Sequence, residues 1–225
     1  SSAVAYSQAG WDRSAYAVLA SAEDGAEARC SLTLARQLAA PVLLTTRTAL
    51  SEATAQELQR LEVKHVLIIG GPQALAAEIE KDLKQLGIES FERVFGQDRY
   101  ATSLEVAKRL SPANGVVLAS GTDCAELLPI SGIAGNTGIP IIYTGKAGLT
   151  DELKSYLQRN FVQTAYLVGE LGEINSEITG HIANPIILKG QNSFEVNASV
   201  VNEFGRLLDF SRIYAVKTDV NLWDS

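Results

Sequence analysis

The sequence predicts an α/β protein of two tandem Rossmann-like, flavodoxin-like modules with mainly parallel sheets, followed by the start of a third repeat. Three observations carry that expectation. Short, continuously apolar runs, which read as strands buried on both faces, alternate with amphipathic helix-like stretches. The second half repeats the first at one constant spacing: Leu118-Ala119-Ser120 matches Leu19-Ala20-Ser21, Pro140-Ile141-Ile142-Tyr143-Thr144 matches Pro41-Val42-Leu43-Leu44-Thr45, and Gly169 matches Gly70. A strand-to-helix junction, Gly96-Gln97-Asp98-Arg99-Tyr100-Ala101-Thr102-Ser103, recurs in eroded form as Gly190-Gln191-Asn192-Ser193-Phe194-Glu195-Val196-Asn197.

Residues 2–10 read as a short helix stopped by Gly10, with Trp11 placed to pack beneath it. A buried strand over 16–21 and a helix over 26–38 follow; 41–45 is a second strand, since Pro is tolerated at a strand's first residue. Ser51 stands where it caps a helix carrying Leu58 and Leu61. The third strand, 65–69, ends at Gly70-Gly71-Pro72. A helix from about Ala76 follows, with Ile79, Leu83 and Leu86 on one face and Gly87 as its stop. A fourth strand, 91–95, leads to a helix opening at Tyr100, where Leu104, Ala107 and Leu110 keep helical spacing. The second copy repeats the series but is shortened near Ile182-Ala183-Asn184, where a loop tolerates deletion. A third copy begins with a helix over 194–208 and a strand over 212–216. The expected boundaries are 1–95, 96–190 and 191–225.

A chain of 225 residues allows one or two domains, and 46% apolar with 20% charged residues suits packed cores. The formal net charge of -7 disfavours non-specific binding to nucleic acid or an anionic membrane surface. No apolar run is long enough for a membrane span. Two cysteines make no disulfide framework, and Cys30 and Cys124 read as buried thiols at unmatched positions of their repeats. The chain lacks Met and opens Ser1-Ser2-Ala3 without a signal-peptide pattern, as a processed chain would.

The candidate ligand-binding residues are Arg99, Asp98, Asp123, Asp24, Gly70 and Gly71. Arg99 offers guanidinium donors to a phosphate or carboxylate; alternatively it bridges to a neighbouring module. Asp98 reads as a ligand residue or as the cap of the helix after it. Gly70-Gly71 reads as an anion-holding turn at a helix start or simply as a tight turn; neither a Gly-x-Gly-x-x-Gly nor a Gly-x4-Gly-Lys pattern is met. Asp24 and Asp123 fall just past strand ends, where open α/β sheets bind ligands, and equally where helix caps stand, with Glu27 and Glu126 completing a capping-box pattern. His65 and His181 lack a second ligand at metal spacing and read as surface or packing residues. No Gly-x-Ser-x-Gly, His-Glu-x-x-His or Ser-x-x-Lys pattern occurs, so catalysis is not expected.

The Gly96, Asp98, Arg99, Tyr100 and Thr102 junction, the strand and acidic loop Val117 to Asp123 with Pro140 to Thr144, and Val66 to Leu75 with its weaker copy at Tyr166 to Glu170 resemble the cell-wall-binding repeat 2 family of clostridial and related Gram-positive surface and S-layer proteins. That resemblance implies a non-catalytic module, outside the cell at its wall, anchoring a surface protein non-covalently to an anionic wall polysaccharide or teichoic-acid-like polymer. It also implies three repeats in pseudo-threefold array, so that neighbouring repeats or another copy of the chain are expected partners. The chain departs from the family pattern at Glu27 and Glu126, which stand for a second Asp, and at Asn192-Ser193-Phe194, which stand for Asp-Arg-Tyr. The acidic net charge conflicts with an electrostatic grip on an anionic polymer. Either Arg29, Arg36, Arg99 and Arg109 gather into a patch, or a divalent cation bridges acid to acid; otherwise no cofactor is expected. Two other readings stay open: a small-molecule-binding or catalytic protein with its site at the strand ends near Asp24 and Asp123, and a structural assembly module.

Overall fold

In the computed structural model, which describes residues 2–23, 25–111, 115–121, 127–145, 148–168, 178, 180–190 and 192–205, two four-stranded sheets share one strand order. Strands β1 (Tyr16–Ser21), β2 (Val42–Thr45), β3 (His65–Ile69) and β4 (Ser90–Val94) run in the order β2-β1-β3-β4. Strands β5 (Gly115–Ser120), β6 (Ile141–Thr144), β7 (Thr164–Val168) and β8 (Asn184–Leu188) run in the order β6-β5-β7-β8. Every pairing is parallel, and the register repeats: Leu19 lies beside Leu43 and Ile68, as Leu118 lies beside Ile142 and Leu167. The α/β class and the tandem parallel modules are as expected.

Eight described helices join the strands: α1 (Ser2–Gly10), α2 (Ala26–Gln37), α3 (Glu52–Arg60), α4 (Glu78–Gln85), α5 (Arg99–Ala107), α6 (Leu128–Thr137), α7 (Asp151–Arg159) and α8 (Ser193–Phe204). The repeat is visible in the backbone itself. Ser51 caps α3 by accepting from Thr54 N, and Thr150 caps α7 by accepting from Leu153 N. Left-handed residues close matching helices, Ala39 and Gly138 after α2 and α6, Glu62 and Phe161 after α3 and α7. Two starts differ from expectation. The cap position of α2 is Gly25, at φ 68 and without a side-chain bond, where the sequence led to a cap at Asp24. Helix α4 begins only at Glu78, because 72–77 form turns after Gly71. Asp24, Asp123, Cys124, Gly169 and the strand expected over 212–216 lie outside the described residues.

Period-two alternation divides each sheet between two cores. Ala17, Leu19, Val66 and Ile68 face an outer core with Leu58, Leu61, Ile79 and Leu83. Val116, Leu118 and Leu167 face its counterpart with Leu104, Leu153 and Leu157. The inner faces, through Val18 and Ile69 on one sheet and Val117, Ala119 and Val168 on the other, share a single core filled by Cys30 and Leu34 of α2, Ile130 and Ile133 of α6, and Val196 and Val200 of α8. Small residues let α2 and α6 approach closely: a Cβ on Gly135 would stand 3.4 Å from Leu32 Cβ. Polar bonds cross the same seam, Tyr143 Oη donating to Ala26 O at 2.9 Å and Thr33 Oγ1 to Ile139 O at 3.0 Å.

Candidate functional site

The junction after β4 is built atom by atom from its sequence. Gly96 has no room for a Cβ, which would overlap Ala101, and its N–H donates to Thr102 Oγ1 at 3.0 Å. Asp98 takes an extended backbone and caps α5, Oδ1 accepting from Ala101 N at 2.8 Å. Arg99 Nη1 donates to Gly121 O at 3.0 Å, just past β5. Tyr100 lies on Gly121 and Gly145 at the ends of β5 and β6, where a Cβ on Gly121 would come 2.5 Å from its ring. Ser103 Oγ accepts from Tyr143 N at 2.9 Å and donates to Tyr100 O at 2.8 Å. Together these contacts seat α5 on the second sheet. The eroded copy keeps the backbone device: Gly190 is equally crowded by Glu195 and Val196, and Asn192 Oδ1 accepts from Glu195 N at 3.1 Å. It loses the side-chain seat, and Phe194, in the place of Tyr100, is 75% exposed.

The C-terminal ends of β1 to β4 open onto a cleft of about 610 Å³. Ser21, Glu23, Glu27, Arg47, Gly71, Gln73, Phe95, Gln97, Asp98 and Arg99 are among its lining residues. Of the residues picked from sequence, Gly71, Asp98 and Arg99 thus meet in one place, with Gly70 behind Gly71; Asp24 and Asp123 are not described. Gly70 sits at φ +114, which strongly favours glycine, and its N–H donates to Val94 O at 2.9 Å. Arg93 holds the turn from below, donating to Gly70 O and Leu75 O at 2.9 Å while paired with Glu80. The Gly70 amide is therefore engaged by its own sheet, which favours the tight-turn reading of Gly70-Gly71 over an anion loop.

Sequence reasoning missed Arg47, Phe95, Gln73, Gln97 and Glu23 as cleft residues. A signal for Arg47 existed, because Lys146 follows the matching strand at the same repeat spacing. Phe95 is 47% exposed beside Gly71, and the backbone N–H of Arg47 donates to Glu23 Oε1 at 3.3 Å. Three acidic residues, Glu23, Glu27 and Asp98, and two arginines, Arg47 and Arg99, line the cleft. The four arginines that one of the two alternatives would gather into a patch stand apart. Arg29 is buried, Arg109 pairs with Glu92 at 2.6 Å, and Arg36 lines a separate cleft of about 840 Å³ with Gln37, Ser111 and Thr164. That second cleft lies at the strand starts, and Gln37 Oε1 accepts from Ser111 N beside it.

Among the described residues no three His, Cys, Asp or Glu side chains stand close enough together to hold a metal ion. His65 is engaged with Ser90 Oγ and stacked on Tyr16, away from the cleft. Burial first, then the nearby Glu27 carboxylate, pushes the Cys30 thiol far up, so this cysteine is an inert packing residue. No described helix is long and apolar enough to cross a membrane.

Residues 93–179, the junction and most of the second module, match the model of the family described as Cell wall binding domain 2. The chain is 28% identical over 212 residues to the N-acetylmuramoyl-L-alanine amidase LytC of Bacillus subtilis, covering 94% of this chain and 42% of the relative. It is 25% identical over 173 residues to the amidase enhancer of the same organism, covering 76% and 23%. Among solved structures it resembles Cwp6 from Clostridium difficile, with TM-score 0.84 and 28% identity over 91% of this chain and 34% of that one. Cwp8 from the same organism gives TM-score 0.82 and 28% identity over 90% and 36%. The chain therefore spans less than half the length of each of these relatives.

Proposed function

We propose, from the match of residues 93–179 to the cell wall binding domain 2 family and the likeness to Cwp6 and Cwp8, that this chain is a member of that family and a non-catalytic module holding a larger surface protein to an anionic polymer of the wall, outside the cell. One observation carries the reading: the family match covers the Gly96 to Thr102 junction, and that junction forms one wall of a cleft lined with polar groups at the strand ends. Arg99 and Asp98 remain the motif residues proposed for polymer contact, with Gly70 and Gly71 shaping the cleft; Asp24 and Asp123 keep that role as proposals from sequence. No cofactor takes part in this reading. A divalent cation joining protein carboxylates to the polymer is the alternative carrier of the contact, and release by EDTA would expose it. Weak sites on linked repeats add through effective concentration.

The test is sedimentation of the purified chain with isolated Bacillus subtilis walls, before and after their anionic polymer is stripped. Pelleting that depends on the polymer is expected; equal pelleting in both cases, or none in either, would count decisively against anchoring. A second reading, a structural assembly module, is favoured by the bonds between modules from Tyr143 to Ala26 and from Thr33 to Ile139 and by the exposed Phe194 and Val201 of α8. Under it the partner is another repeat or another copy, and a protein that stays monomeric at high concentration would exclude the copy.

A further inference from the structure

We propose that the cleft at the ends of β1 to β4 is a saccharide seat, in which Phe95 is the stacking platform and Arg47, Gln73, Gln97 and Glu23 address ring substituents. The proposal rests on the wall-binding reading and names what part of the polymer is read at this site. Phe95 follows β4 directly and lies against Gly71, where an added Cβ would stand 3.1 Å from the ring. A large apolar ring left 47% exposed in a cleft that also carries amides and charged groups is poorly placed for packing. It is well placed for a sugar, whose C–H face is apolar and packs on the electron-rich face of an aromatic ring.

The charges point the same way. Arg47 and Arg99 are set against Glu23, Glu27 and Asp98, so the cleft offers no excess positive charge to a run of phosphates. Carboxylates and amides are suited to hydroxyl groups, which donate to the former and exchange bonds with the latter. Arg47, an exposed lining residue of the cleft, suits a single acidic substituent. These side chains come from the four loops beyond the parallel strands, Glu23 after β1, Arg47 after β2, Gln73 after β3 and Phe95 with Gln97 after β4, and only the sheet order brings them together. The matching positions of the second copy carry Lys189 for Phe95, Ser193 for Arg99 and Lys146 for Arg47. The aromatic platform therefore belongs to the first module alone.

The experiment compares the parent chain with Phe95→Ala, Phe95→Trp and Arg47→Ala, all checked for an unchanged melt, by sedimentation with Bacillus subtilis walls. In parallel, the Gly71 and Gly96 amide resonances of the parent are followed with N-acetylglucosamine and with inorganic phosphate as separate probes. Phe95→Ala is expected to weaken pelleting at least about tenfold, as for a central aromatic contact. Phe95→Trp should retain it, and Arg47→Ala should weaken it by a smaller factor. Raising NaCl from about 0.1 to about 0.5 M should change parent binding less than about threefold, unlike a phosphate grip. The sugar, not phosphate, should shift the two glycine amides. Parent pelleting with an undiminished Phe95→Ala variant would overturn the saccharide seat while leaving wall binding intact. Absence of parent pelleting would strike the wall-binding reading, and amides that respond only to phosphate would overturn the seat on its own.

Discussion

Asp98 Oδ1 takes the Ala101 amide, Arg99 takes Gly121 O, and Tyr100 covers Gly121 and Gly145, so three successive side chains each perform a different task at one junction. The capping role of Asp98 was legible in the sequence because a cap needs only local partners. The bond that Arg99 makes was not legible, since Gly121 lies within the same repeat and neither the ligand reading nor the bridge to a neighbouring module names it. Phe95 and Arg47 were not legible as a pair: one reads as the last residue of a strand, the other as a loop residue, and only the order β2-β1-β3-β4 brings them to one cleft. The eroded copy shows what the cap requires, because Asn192 accepts from Glu195 N with the same backbone shape. Asp98→Ala is therefore expected to destabilise the fold by about 1 kcal/mol, and Asp98→Asn by much less. Thermal melts of the two variants check this; equal losses would show that the charge, not the cap bond, matters there.

Helix α1 is tied to α3 through one buried carboxylate. Glu57 of α3 accepts from Ser7 Oγ at 2.6 Å and from Arg60 Nε at 2.8 Å, and Arg60 also donates to Trp11 O at 2.9 Å. The hydrogen bond from Arg60, together with those from Ser7 and Gln8, outweighs burial and holds the Glu57 carboxyl below the ordinary glutamate range. In the unfolded chain Glu57 titrates at its ordinary value of about 4.3, so just below that pH the unfolded state binds more protons than the folded one. Its contribution is fully present above the ordinary value and is lost as pH falls through the lower, folded one. The melting temperature should thus fall between about pH 5 and pH 3 more steeply in the parent than in Glu57→Gln, measured by circular dichroism. Parallel curves for the two proteins would contradict it. The sequence placed both helices correctly from caps and periodicity, but the Ser7 to Glu57 link was hidden, since a Glu on a helix ordinarily faces water.

At the scale of the whole molecule the two modules are distinct in sequence and joined in substance. Their repeat was legible because matching strands and caps recur at one spacing. The shared core was not, because the apolar stripe of α2 reads identically whether it meets its own sheet or a neighbour's helix. In the structure it meets both: Cys30 and Leu34 belong to one core with Ile130, Ile133 and Val117 of the second module. The Tyr143 to Ala26 and Thr33 to Ile139 bonds tie the same surfaces. The side of α2 turned to α6 is buried by the neighbouring module, and its apolar surface is exposed when that neighbour unfolds, so the two are expected to lose structure together. Ile130, fully buried in α6 within the shared core, is the direct probe. Ile130→Ala is expected to destabilise by about 2–5 kcal/mol. Because the core is common, calorimetry should show one transition displaced as a unit, and hydrogen exchange should quicken in β1 as well as in β5. A split into two transitions, with β1 protection unchanged, would mean that the modules are stable independently and that the seam is only a contact between them.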